Sequence, residues 1–174
     1  GFVIDCEKPS DIVVSAADMK GAYTSDTWTS TDVEISLSST AFSNIYKYYY
    51  SIDNGNTWIE LDSNTITTTS QGITNYQFKA KSYSGLESEV TLFTVKIDKT
   101  VPVIRVDFEG AFGVWTSDEV KFSFSLLEES ISGITYYYST DNGNTWIEIV
   151  TDDEIILTEN TDSTYMFKAV NGTG

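Results

Sequence analysis

Val33, Ile35 and Leu37 alternate with Glu34, Ser36 and Ser38, and much further along Val120, Phe122 and Phe124 alternate with Lys121, Ser123 and Ser125. A period of two sends every second side chain to one face, so each stretch predicts a strand with one face in a core and the other in water. Tyr76, Phe78 and Ala80 repeat the signature, as do Tyr165, Phe167 and Ala169. Over the first half of the chain the pattern predicts strands near 11–15, 32–38, 45–52, 57–61, 64–68, 75–82 and 90–97. Ser and Thr are abundant, there are 11 Tyr and 9 Phe, and only 2 Pro interrupt. That composition suits pleated, half-buried surfaces and not helices.

The pattern occurs twice. Tyr48 to Leu61 reads YYYSIDNGNTWIEL and Tyr136 to Ile149 reads YYYSTDNGNTWIEI, identical at twelve of fourteen positions. Trp28 to Val33 answers Trp115 to Val120, and Tyr76 to Ala80 answers Tyr165 to Ala169. Pro9 and Pro102 lie 93 residues apart but Trp28 and Trp115 only 87, so the first copy carries six extra residues before its tryptophan. Residues 1–9 read as the end of a preceding repeat or linker, 10–98 as repeat 1, and 99–174 as repeat 2. The boundary falls at Asp98 to Pro102, where proline holds its predecessor extended and stops a ladder. Seven short strands per copy describe an immunoglobulin-like β-sandwich, so the expectation is an all-β chain of two tandem sandwiches. The second copy stops at Asn171-Gly172-Thr173-Gly174, with nothing to match Val90 to Ile97. It is expected to lack its last strand and expose an edge there, as a window cut from a longer array would.

Charge narrows the function. Twenty-six Asp and Glu against 10 Lys and Arg give a net charge of -16, a field that repels phosphate backbones and anionic lipid. Nucleic-acid binding is therefore not expected, and with no apolar run of about 18 residues neither is membrane insertion by this fragment. Cys6 is the only cysteine and histidine is absent, which removes an internal disulfide, the imidazole bases of common hydrolases and the usual ligands of catalytic zinc. The reading is a non-enzyme.

Ser51 to Trp58 and Ser139 to Trp146 both fit S-x-D-x-G-x-T-W, which resembles the Asp box of sialidase propeller blades. Physically, Asn-Gly between strand formers is a hairpin signal: a type I′ turn needs φ > 0 at both centres, and Asp, Ser and Thr side chains can satisfy its amides. Sialidase activity does not fit, because that family holds its substrate with three arginines and Arg105 is alone here. Two copies also cannot form a propeller, which takes at least about four blades. Together the tryptophan before the second strand, this hairpin, the Y-x-F-K-A strand and the closing Ile97-Asp98-Lys99-Thr100-Val101-Pro102 linker are similar to the tandem Ig-like repeats of Gram-positive surface or secreted proteins. That resemblance implies an extracellular or bacterial cell-surface location and a spacer, stalk or cell-adhesion role. Partners would then be neighbouring repeats of the same chain and a host or microbial surface protein or glycan. The alternative is a carbohydrate-binding accessory region of an extracellular glycan-degrading enzyme.

Candidate residues follow from the register. If Tyr50 pairs with Ile59, alternation puts Tyr48, Tyr50, Ile59 and Leu61 on the core face, and Tyr49, Ser51, Trp58 and Glu60 outside. Tyr49 with Trp58, repeated as Tyr137 with Trp146, then either forms a sugar-binding platform or folds over its own turn. Calcium is a candidate cofactor, with Asp98, Asp53, Asp141 and the run Asp152-Asp153-Glu154 as oxygen donors; a solvated acidic surface is the alternative. Trp28 and Trp115 read as core plugs. Lys79 and Lys168 read as outward, which argues against the buried lysine that an isopeptide bond requires. Cys6 reads as incidental.

Overall fold

The computed structural model describes residues 1–110, 113–150 and 154–174. These fall into two compact units, Gly1–Lys99 and Thr100–Gly174, and every regular element among the described residues is a strand.

Unit one contains β1 (Val13–Asp18), β2 (Gly21–Ala22), β3 (Trp28–Thr29), β4 (Val33–Ser38), β5 (Ile45–Ser51), β6 (Ile59–Leu61), β7 (Thr65–Thr68), β8 (Gly72–Ser82) and β9 (Thr91–Ile97). They build one sheet ordered β2-β1-β4-β7 and another ordered β3-β9-β8-β5-β6. Every pairing is antiparallel except β3 with β9. Besides the brief excursion of β3, the chain switches sheets between β4 and β5, β6 and β7, and β7 and β8, which is the immunoglobulin-like arrangement the sequence predicts. Val33, Ile35 and Leu37 point into the core from one sheet, meeting Phe78, Ala80, Phe93, Val95 and Ile97 from the other. Phe78 is fully buried and stacks on Tyr76 at 5.3 Å between centroids; burying such a ring stabilises by about 1.5–3 kcal/mol. The Tyr76 hydroxyl lies 2.8 Å from Thr68 Oγ1, and burial pushes its phenol pKa up.

Unit two contains β10 (Val103–Glu109), β11 (Val120–Glu128), β12 (Ile134–Ser139), β13 (Ile147–Glu148), β14 (Glu154–Leu157) and β15 (Met166–Asn171). Its sheets, β10-β11-β14 and β13-β12-β15, reproduce β1-β4-β7 and β6-β5-β8 of unit one. No strand among the described residues corresponds to β9, and β15 pairs with β12 alone. The core is built from rings: Phe122 and Phe124 both pack on Phe167 at 5.0 Å, and Phe124 meets Tyr136 at 5.7 Å.

Several expectations are corrected. Trp115 is no core plug: it is 86% exposed. In unit one Trp28 lies in β3, which is held by its ladder to β9 through Trp28–Lys96 and Thr29–Ile97. Among the described residues unit two has no strand corresponding to β3 or β9, and Trp115 stands in solvent. The six extra residues of the first copy make the β1–β2 corner and bring in Tyr23, whose hydroxyl accepts from the Lys96 amide at 3.0 Å. Ile59 pairs with Tyr50 as predicted, yet it is 45% exposed because β6 lies at the sheet edge. Ser51, read as outward, is buried because β5 ends there and its side chain turns into the loop.

Candidate functional site

The repeated hairpin is the most elaborate polar arrangement in either unit. Asn54 and Gly55 have φ of 62° and 84°, Asn142 and Gly143 have 59° and 82°, and each turn closes by a 3.4 Å bond from the Asn56 or Asn144 amide to the Asp53 or Asp141 carbonyl. Positive φ at both centres is the type I′ geometry the sequence predicts. The turn sits inside a longer connection, however, since β5 ends at Ser51 and β6 begins at Ile59. A loop of that length needs side chains to hold it.

Asp53 supplies most of the hold. Its Oδ1 accepts from the Thr57 amide at 2.9 Å and from Ser51 Oγ at 2.7 Å, and its Oδ2 accepts from Thr57 Oγ1 at 2.5 Å. Ser51 Oγ in turn accepts from the Gly55 amide at 2.9 Å. In unit two Asp141 accepts from Thr145 N at 2.9 Å, Ser139 Oγ at 2.8 Å and Thr145 Oγ1 at 2.6 Å, and Ser139 Oγ accepts from Gly143 N at 2.9 Å. Hydrogen bonds to the charged form lower a carboxyl pKa. The Thr hydroxyl and amide, then the Ser hydroxyl, hold both Asp53 and Asp141 down at about 2. The sequence names serine among the side chains that can satisfy the turn amides but places Ser51 on the outward face; in both copies the serine two residues before the aspartate is the hub.

Trp58 and Trp146 are half-buried. Each indole folds back over its own turn: a Cβ on Gly55 would lie 3.8 Å from the Trp58 ring, and one on Gly143 would lie 3.4 Å from the Trp146 ring. Above each sits a lysine. Lys79 Nζ is 4.4 Å from the Trp58 ring centre and 5.9 Å from that of Tyr49; Lys168 Nζ is 4.3 Å from Trp146 and 5.3 Å from Tyr137. The register pairs Tyr49 with Lys79 and with Glu60, and Tyr137 with Lys168 and with Glu148. Such cation–π contacts stabilise by about 0.5–2 kcal/mol. Lys79 also meets Glu87 at 2.9 Å, and Tyr49, whose phenol pKa is raised by burial and by Glu60, donates to Glu60 at 3.4 Å. Thus Tyr49, Trp58, Tyr137 and Trp146 are brought together pairwise, each pair capped by a cation.

The proposed metal ligands stand differently. Asp98 is fully buried at the end of β9, where its amide donates to the Thr29 carbonyl at 2.9 Å. Asp53 and Asp141 are engaged with their own turns. Asp152 and Asp153 lie outside the described residues, and Glu154 pairs with Lys121 at 2.7 Å. Among the described residues no three Cys, Asp or Glu side chains gather as a metal site. Cys6 is exposed. A further group that sequence reasoning did not single out is aromatic: Tyr46 and Tyr83 are exposed and meet edge to face at 5.2 Å.

No protein-family model matches this chain, and no curated protein matches it. Solved structures similar to it include the FN1–FN3 domains of chicken CNTN1, at 14% identity and TM-score 0.40, over 85% of this chain and 57% of that one. Chitinase ChiA74 from Bacillus thuringiensis is 19% identical with TM-score 0.39, over 98% of this chain and 28% of the enzyme. Carbohydrate-binding modules from the beta-sandwich super family are 13% identical with TM-score 0.41, over 95% of this chain and 97% of theirs. At that level of likeness the ligands and activities of those proteins carry no weight here. The architecture rests on the strand order above, which makes the chain an all-β protein of immunoglobulin-like sandwich units.

Proposed function

We propose that this chain is a non-catalytic pair of sandwich repeats, serving as a spacer, stalk or adhesion module of a larger extracellular bacterial protein. The observation that carries the reading is the hairpin. Its acids, hydroxyls and indoles are the chain's most chemistry-like residues, and in both copies they satisfy one another: the carboxylate is spent on turn amides and hydroxyls, and the indole on a glycine and a lysine. Such a clasp stiffens the loop between the hairpin strands of each unit and commits these groups to the turn itself. The extracellular, cell-surface placement is supported by the similarity of the hairpin and linker motifs to exported tandem repeats. Neighbouring repeats of the same chain are the partners this role requires.

The second reading is a carbohydrate-binding accessory role, favoured by the exposed Tyr46–Tyr83 pair. Binding of the fragment to an array of host and microbial glycans, with calcium and with chelator, tests both. The spacer reading expects no specific capture under either condition. A specific hit lost in Tyr46→Ala/Tyr83→Ala, or in Trp58→Ala/Trp146→Ala, at an unchanged fold would overturn it in favour of a glycan-binding module.

A further inference from the structure

The chain contains three Asn-Gly pairs, Asn54-Gly55, Asn142-Gly143 and Asn171-Gly172. This dipeptide is the one most prone to spontaneous deamidation, because glycine offers no side chain to hinder its own nitrogen. That nitrogen loses its proton and attacks Cγ of the preceding asparagine, the bond from Cγ to the side-chain nitrogen breaks, and ammonia leaves. Water then opens the five-membered succinimide at either carbonyl, giving aspartate or isoaspartate.

The fold does not readily give up these glycines. Gly55 and Gly143 hold φ of 84° and 82°, which L side chains adopt only with strain, and a Cβ on Gly172 would collide with the Ser132 carbonyl oxygen. Asparagine is in turn among the few residues that tolerate the left-handed position before Gly55 and Gly143. The fold therefore requires glycine at 55, 143 and 172 and favours asparagine before the first two. In all three cases the glycine amide donates to a serine hydroxyl: Gly55 to Ser51 at 2.9 Å, Gly143 to Ser139 at 2.9 Å, and Gly172 to Ser132 at 3.0 Å.

We infer that these three asparagines are latent self-modification sites, and that Ser51, Ser139 and Ser132 guard them by holding the attacking nitrogen away from Cγ. A nitrogen whose N–H is committed to a serine oxygen is neither free to lose its proton nor free to rotate toward the side chain. Reaction requires the turn to open first. The guard on Asn54 and Asn142 is reinforced, since Ser51 and Ser139 are buried and are themselves fixed by donation to Asp53 and Asp141. Conversion to isoaspartate would insert a methylene into the backbone of the turn and end the type I′ geometry, so the serine preserves the turn against time.

The experiment is peptide mapping by mass spectrometry after prolonged incubation at mildly alkaline pH, comparing the native chain with Ser51→Ala. Deamidation at Asn54 is expected to rise roughly fivefold to tenfold, the gain in open turn when one net hydrogen bond is lost, with Asn142 in the same molecule unchanged. An Asn54 rate equal to that of the parent would overturn the inference, as would equal acceleration at Asn54 and Asn142, which reports global opening. Should Ser51→Ala not fold, the native chain is compared with itself in urea. Slower reaction at all three pairs in the folded state, relaxed at Asn171 alone by Ser132→Ala, supports the guard; folded and unfolded rates that coincide refute it.

Discussion

The two units share one hairpin bond for bond and differ in nearly everything packed around it. In unit one Val33, Ile35 and Leu37 are sealed by Phe93, Val95 and Ile97 of β9, and Tyr23 closes the edge. In unit two the matching strand carries Val120, Phe122 and Phe124, the rings pack on one another, and among the described residues Phe124 and Tyr136 alone of its large apolar side chains are buried. Yet the distances within the two S-x-D-x-G-x-T-W loops agree to 0.1 Å. A local hydrogen-bonded clasp is thus indifferent to the sandwich that carries it, whereas the half-buried seat of Trp28 and the sealing of the core depend on the last strand.

The largest effect that sharpens this contrast is in the cores. Phe78→Ala should cost about 3–5 kcal/mol, because the ring is fully enclosed. Phe167→Ala, at the equivalent but half-buried position, should cost clearly less in a chemical-denaturation series, and equal losses would mean the two cores are alike. Next come the clasps. Ser51→Ala and Ser139→Ala each leave a glycine amide without its acceptor and remove one of the three donors to the aspartate, so each should cost about 1–3 kcal/mol. Here the two units should respond alike, and a difference above measurement error would break the claim that the clasp is independent of its surroundings.

How much of this was legible follows from which physics is local. The strand at Val33 to Ser38, the Tyr50–Ile59 register and the positive φ of Asn54-Gly55 all follow from side-chain period and turn chemistry, and the structure has them. Trp115 was misread because its environment depends on a ladder partner far along the chain, which no local pattern encodes. Ser51 was misread because alternation stops where the strand stops, and the end of β5 is set by the clasp. The lysine over each indole had a signal in retrospect: both copies pair a Trp in the loop with a Lys in the Y-x-F-K-A strand.

Acid gives a smaller effect. Asp53 and Asp141 have folded pKa values depressed from 3.8 to about 2. Their contribution is therefore fully present above the ordinary carboxylate pKa and is lost as pH falls from there through about 2. Melting temperature should fall over that window, and Asp53→Asn/Asp141→Asn should flatten the fall; an unchanged slope would contradict the clasp. Smallest of all, Trp115→Ala should alter stability by no more than about 0.5 kcal/mol, whereas Trp28→Ala, which loses its seat on β9, should cost measurably more in the same assay.

The most direct test is amide hydrogen exchange, read residue by residue, at Gly55, Thr57, Gly143 and Thr145. A self-contained clasp predicts protection at all four amides in the free protein, similar in the two units and unchanged by calcium. Exchange at the rate of an unstructured peptide, or protection that arises only when calcium or a glycan is added, would show instead that these residues form a ligand site waiting to be filled.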